Sequence, residues 1–392
     1  MTSARRRPRV VVAPDSFKGS ATAAEVAEAM AAGVRAALGV PGAPEADVRV
    51  VPFADGGEGT LDGLLGAWRS TPRVVRATDA LGRPVEARWG RAPDGAVAVV
   101  EAAEANGLPQ VSDVRLQPLA ATTRGVGTVV RAALATGCPE LLLCIGGSAT
   151  TDGGAGLLRE LGVRFLDADG RDLPDGGGAL GRLDRIDASG LDPRAAAVRW
   201  RIACDVRNPL VGERGAAAVF GPQKGAGPAD VRVLDAGLRR LAAALLEATG
   251  VDVADLPGAG AAGGLPAGLH ALLGAELAPG GELVADAVGL ADLVADADLV
   301  LTGEGRLDGQ SFHGKVVDTV RRLTPAHVPV VAVAGSVSAT VEEIDAAGLT
   351  AAFSIARGPA TLDELRASTV DAVTAATAQV VRVWLRGWAP PG

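Results

Sequence analysis

The sequence predicts an α/β protein of two domains: a doubly wound parallel sheet built from both chain ends, and a mixed α/β domain inserted between them. Three observations point there. Apolar runs of buried-strand length alternate with helix-period segments at both ends, the order expected of parallel strands joined by crossover helices. The middle of the chain changes style, to short strands broken by glycine- and proline-bearing turns. The length, 392 residues, exceeds what one core ordinarily organises. Read from these changes, the discontinuous domain takes 1–73 and 291–392, and the insert takes 74–290.

The first strand is the apolar run Arg9 to Ala13. A helix follows from Thr22 to Leu38, and Thr22-Ala-Ala-Glu25 has the spacing of a capping box. Val48 to Phe53 reads as the second strand, with a helix after Gly59. From Arg73 to about Ala103, Gly-Arg-Pro and Pro-Asp-Gly turns divide short strands into a β-meander. A mixed stretch follows, with a long helix over Ala229 to Thr249. After Leu290 the alternation returns: strand Asp298 to Thr302, helix Lys315 to Leu323, strand Pro329 to Ala334, helix Val341 to Ala347. The strand Ala351 to Ile355 and a closing helix over Leu362 to Leu385 complete it.

Composition removes several function classes. Hydrophobic residues make up 48% and charged residues 21%, as in globular rather than disordered chains. A net charge of -8 argues against nucleic acid or an anionic membrane as partner. The basic run Arg5 to Arg7 reads as a solvated tail. No apolar stretch approaches the roughly 20 residues of a spanning helix, and the run behind the tail stops at Pro14, short of a signal-peptide core. Cys138, Cys144 and Cys204 form no CxxC pair, which fits a reducing cytoplasm without a disulfide framework or zinc site. His270, His313 and His327 show no metal-ligand spacing.

The chemistry is carried by loops at expected strand ends. "DSFKGS", "ADGGEGT", "IGGSATTDGGAG", "ACDVRNPL", "FGPQKGAG" and "TGEGRLDGQ" each join glycine to an acid or a lysine. Glycine lets backbone N–H groups approach a ligand, a following helix N-terminus favours an anion, and carboxylates can hold Mg2+ against phosphate. Each loop alone is also an ordinary strand-to-helix turn; the set weakens that reading. Lysine usage sharpens it. Among 38 basic residues only Lys18, Lys224 and Lys315 are lysine, each in a glycine-bearing loop. An ammonium is a compact point charge suited to a phosphoryl group in tight quarters. Asparagine occurs only at Asn106 and Asn208, and Asn208 in "CDVRNPL" can orient a hydroxyl.

Rival signals are weaker. "GAGAAG", Gly258 to Gly263, matches GxGxxG, yet no strand precedes it, so the dinucleotide fingerprint lacks its context. An NAD(P)-dependent oxidoreductase would rest on that motif alone. No GxxxxGK[ST] loop and no kinase HRD or DFG set is present, and Ser148 has no histidine placed to activate it. A non-catalytic anion-binding protein would not need so many acidic loops beside its lysines.

Taken in order, "APDSFKGS", "ADGGEGT", "IGGSATTDGGAG", "ACDVRNPLVGERGAAAVFGPQKGA" and "TGEGRLDGQ" resemble the bacterial type-I glycerate kinase family, from Val10 to the final helix. "GKVVDTV" and "GSVSAT" fit the family loosely. The resemblance implies a flavodoxin-like domain plus the inserted domain, an active site in the cleft between them, and Mg2+- and ATP-dependent phosphorylation of D-glycerate. The 2-hydroxyl is the acceptor most often implied, with the 3-hydroxyl as the alternative. Residue type and loop position then suggest the roles: Lys18 and Lys224 are expected to be the cations facing phosphate or the glycerate carboxylate. Asp205 is the base, and Asp15, Ser16 and Asn208 bind substrate. Gly56, Gly57, Gly146, Gly147 and Ser148 cradle ATP, and Asp55, Asp152 and Glu304 hold Mg2+ or its water shell. A cytoplasmic location is expected, and a homodimer is one candidate assembly.

Overall fold

The computed structural model describes residues 7–39, 45–312 and 314–388. Arg5 and Arg6 of the basic tail, and His313, lie outside the described residues. Along the chain the two principal sheets take strands β1 (Arg9–Val12), β2 (Asp47–Val50), β3 (Arg73–Thr78), β4 (Pro84–Arg91), β5 (Val97–Glu101) and β6 (Glu140–Cys144). They continue with β7 (Arg199–Ala203), β8 (Glu276–Ala278), β9 (Leu299–Thr302), β10 (Val330–Ala334) and β11 (Ala351–Ser354). The chain divides into two compact units. One comprises 1–55, 62–69 and 284–392, and the other 56–61 and 70–283.

The first unit holds a five-stranded parallel sheet in the order β11-β10-β9-β1-β2. Its strands β9 and β10 are buried throughout and apolar but for Thr302, as a sheet covered on both faces requires. Helix α1 (Ala23–Leu38) forms where the sequence placed it. Thr22 caps it, taking the Glu25 N–H on its side chain while the Glu25 carboxylate takes the Thr22 N–H at 2.8 Å. Val26, Met30 and Val34 line its buried face and join Val10, Val12, Leu299 and Leu301 in this unit's core.

The second unit is built on a six-stranded mixed sheet, order β8-β7-β6-β5-β4-β3. Strands β3, β4 and β5 form the antiparallel meander, and β5 to β8 run parallel. Helix α2 (Arg124–Leu134) covers one face, with Val126, Val129 and Val130 buried. The long helix α3 (Pro228–Thr249) starts with Pro228 at its first turn and buries Leu234, Leu238, Leu241 and Leu245. These residues belong to a separate core that also holds Trp200 and Phe165.

Towards the carboxy terminus, helix α4 (Val316–Leu323) follows β9 and α5 (Val341–Ala346) follows β10. The single closing helix read from the sequence is two, α6 (Leu362–Ala367) and α7 (Thr369–Gly387). Ser368 separates them with φ -102° and ψ 6°, its hydroxyl donating to the Glu364 carbonyl at 2.8 Å. Serine competes for backbone partners in this way, and periodicity does not register it.

Candidate functional site

Two cavities lie at the carboxyl ends of strands, one in each unit. The first lies where the order of the five-stranded sheet reverses, because the chain leaves β1 towards β2 on one side and β9 towards β10 on the other. Ligands of open α/β sheets bind at such switch points, beyond the carboxyl ends of the strands. Past β1, the Ala13 and Asp15 N–H groups still donate to the Leu301 and Gly303 carbonyls at 2.8 Å, so Asp15 is fixed on the sheet frame. The chain then closes a tight turn, with Phe17 and Ala21 exchanging backbone hydrogen bonds, and Lys18 is exposed at its tip.

This cavity measures about 440 Å³ and collects Asp15, Ser16, Lys18, Asp55 and Glu304. Asp15 is pushed up to about 7, first by burial and then by the negative charge of Asp55. The Ser16 N–H at 2.6 Å and the Lys18 charge oppose that shift. Glu304 is 7% exposed. Burial raises its carboxyl, against a hydrogen bond from Ser311 and the charge of Lys315. Its Oε1 has no hydrogen-bond partner among the described residues, an unusual state for a buried carboxylate oxygen. Sequence reasoning assigned no role to Arg306, Asp308 or Arg366, and singled out Lys315 only as a scarce lysine, yet all four line this cavity. Arg306 and Asp308 sit in the "TGEGRLDGQ" loop already singled out, so the motif carried that signal. Arg366 comes from α6, whose separation from α7 was invisible.

The second cavity, about 210 Å³, lies at the carboxyl ends of β6 and β7. Gly56, Gly57, Gly146, Gly147, Ser148, Asp205 and Lys224 line it. Lys224 is 3% exposed. Its ammonium donates to the Thr150 carbonyl at 2.6 Å and to Ser148 Oγ at 3.1 Å. Burial pushes the group down to about 7, with the charge of Asp152 pulling the other way. Asp205 Oδ1 accepts the Gly280 N–H at 2.9 Å, which orients the carboxylate at the cavity wall. Glu101, at the end of β5 and absent from the sequence-based site, takes the Gly59 and Leu61 N–H groups at 3.0 Å each and so holds the "ADGGEGT" loop.

Asp152 and Asn208 line neither cavity. Asp152 is fully buried and accepts the Thr123 N–H at 2.8 Å, the Thr123 hydroxyl at 2.9 Å, and the Gly154 and Gly156 N–H groups. Those bonds tie the "DGGAG" turn to the start of α2. Asn208 donates its side-chain amide to the Arg214 carbonyl at 2.8 Å. The "GAGAAG" stretch follows no strand. A Cβ on Gly260 would stand 2.2 Å from the Pro209 carbonyl oxygen, so this glycine serves loop-on-loop packing. Ala261 and Ala262 reach the wall of the second cavity.

Among the described residues no group of three or more His, Cys, Asp or Glu side chains is arranged to hold a metal ion, and no helix is long and apolar enough to cross a membrane. A cation shared between one or two carboxylates, phosphate oxygens and water needs no such group. Asp55 and the unpartnered Glu304 oxygen fit that kind of site.

Comparison with known proteins agrees over nearly the whole chain. Residues 10–385 match the model of the glycerate kinase family. The glycerate 2-kinase of Escherichia coli strain K12 is 45% identical over 357 residues, covering 91% of this chain and 92% of that protein. A glycerate kinase of Bacillus subtilis strain 168 is 45% identical over 359 residues, with 91% and 92% covered. A provisionally named glycerate kinase 2 from Salmonella typhimurium LT2, known as a crystal structure, superposes with a TM-score of 0.87 at 43% identity, covering 97% of this chain and 99% of that one. The ordered glycine- and acid-bearing loops, the switch-point cavity and these matches together establish that the chain belongs to the glycerate kinase family.

Proposed function

We propose that this kinase transfers the terminal phosphoryl group of ATP, with Mg2+, to the 2-hydroxyl of D-glycerate, giving 2-phospho-D-glycerate and ADP. The observation that carries the reading is the charge arrangement at the switch point, where Lys18 and Lys315 share one cavity with Asp55 and Glu304. Phosphoryl transfer is largely positioning and charge neutralisation, and this pairing suits it. The ammonium groups meet phosphoryl oxygens, and the carboxylates hold the cation. Asp55 and Glu304 would hold Mg2+, which would neutralise negative charge on the phosphate groups. The choice of the 2-hydroxyl follows the E. coli relative, named glycerate 2-kinase.

Asp205, oriented by the Gly280 N–H, takes the proton from the acceptor hydroxyl as the oxygen attacks phosphorus. Asp152 acts at one remove, by keeping the turn after Ser148 in place. The test is 31P NMR of a reaction containing D-glycerate, Mg2+, ATP and enzyme. The expected new phosphomonoester signal is a doublet, split by the single proton on C2. A triplet moves the transfer to the 3-hydroxyl, and no glycerate-dependent signal removes the kinase reading.

A further inference from the structure

The two cavities differ in size and in number of charges, and the difference sorts the two substrates. We infer that the switch-point cavity is the nucleotide site, and that the smaller cavity at the ends of β6 and β7 takes the three-carbon acid. The assignment rests on the kinase reading above. It exchanges the partners expected from residue type and loop position, which gave Asp15 and Ser16 to glycerate and Gly146, Gly147 and Ser148 to ATP.

Size is the first argument. The switch-point cavity is about 440 Å³ and the other about 210 Å³. A nucleoside triphosphate has several times the atoms of glycerate, and pockets enclosing ligands of that size begin at roughly 300 Å³. The second argument is apolar surface. Phe17, Ile355, Leu362 and Leu365 are among the residues that line the larger cavity. Leu362 and Leu365 sit three positions apart on one face of α6, a helix with no buried residue of its own, and Leu362 is 60% exposed. Glycerate is too small to cover this exposed leucine together with the charged groups, whereas a nucleotide's purine face can. Charge is the third. Lys18, Arg306 and Lys315 share the larger cavity with Asp15, Asp55 and Glu304. That mixture fits a polyphosphate carrying a cation better than a single carboxylate.

The smaller cavity also has apolar lining, Ile145, Val206 and Phe220 among it, but it carries fewer charges. It offers one ammonium, Lys224, with two of its three N–H donors used by Thr150 and Ser148 and no acceptor for the third among the described residues. One donor on one buried cation matches one carboxylate. Burial lowers the Lys224 pKa to about 7. An entering carboxylate restores the charged form and makes glycerate binding proton-linked. Asp205 faces the same cavity, so acid anchor and base serve one small ligand.

The test is calorimetric titration of the intact protein with a non-hydrolysable ATP analogue and, separately, with D-glycerate. Leu362→Asp puts an acid in the first turn of α6, which folding tolerates. It is expected to raise the Kd of the analogue about tenfold, the equivalent of about 1.4 kcal/mol, and to leave that of glycerate unchanged. Lys224→Met is expected to abolish glycerate binding and keep that of the analogue. Arg366→Ala and Ser148→Ala, gentler changes in the two cavities, are expected to divide the same way and substitute for either variant if it does not fold. Crossed effects overturn the assignment, as does a Leu362→Asp or Arg366→Ala protein with unaltered nucleotide affinity. The doublet in the NMR assay scores the kinase reading separately: crossed effects with product still formed overturn only the assignment.

Discussion

Asp15 and Lys224 are displaced from opposite ends of the pH scale towards the same value, about 7, and burial is the main cause in both. The signs differ in consequence. The Asp15 carboxyl is raised from 3.8, so the native protein keeps a proton that the unfolded chain releases between about pH 4 and 7. Its contribution to stability is full below about 4 and is lost as pH rises through 7. Asp15→Asn removes this titration. The variant should gain stability relative to the parent between pH 5 and 8, read as a urea midpoint difference that grows with pH. A difference independent of pH would mean that Asp15 titrates normally. Residue identity was more legible than residue state. The scarcity of lysine pointed to Lys18, Lys224 and Lys315, and each of them lines a cavity. The sequence could not tell that Lys224 is buried while Lys18 is exposed, nor that the Asp152 carboxylate is taken up by Thr123 as well as by its own turn. Those facts depend on neighbours remote in the chain.

At the scale of elements, periodicity and capping recovered α1, α3 and the strands of the first unit to within a few residues, because each is specified locally. The break at Ser368 and the close packing of α1 on α7 were not legible. Gly33 shows why. Glycine inside a helix reads as a weak point, and replacing it by alanine would ordinarily stabilise by about 1 kcal/mol. Here a Cβ would stand 2.5 Å from the Thr374 carbonyl oxygen and 2.7 Å from Thr377 Cβ, both on α7. Backbone cannot swing aside as a flexible side chain can, so the helices must separate, and overpacking of this kind costs about 1–3 kcal/mol. The clash outweighs the propensity. Gly33→Ala should therefore lower the urea midpoint, with the far-UV signal of the native state unchanged. A variant as stable as the parent, or more so, would show that α1 and α7 do not pack this closely.

Across the whole molecule, the chain builds two units, each with its own core and its own cavity, and a two-substrate enzyme can use that division to keep its ligands apart before reaction. The consequence is visible in amide hydrogen exchange. At a ligand concentration about 100 times Kd, local openings that require ligand release become about 100-fold rarer. Those openings are the ones that expose loop amides. With the ATP analogue alone, protection should rise in 15–20, 303–308 and 355–369, the segments that furnish the switch-point cavity. With D-glycerate alone it should rise in 145–150, 203–206 and 222–226, the segments around Lys224 and Asp205. A loop held by its own internal bonds, such as 167–171, where the Asp167 carboxylate takes the Asp169 and Arg171 N–H groups, serves as the internal reference because it lines neither cavity. Protection of the first set by glycerate, or of the second by the nucleotide analogue alone, would contradict a molecule in which each substrate has its own unit.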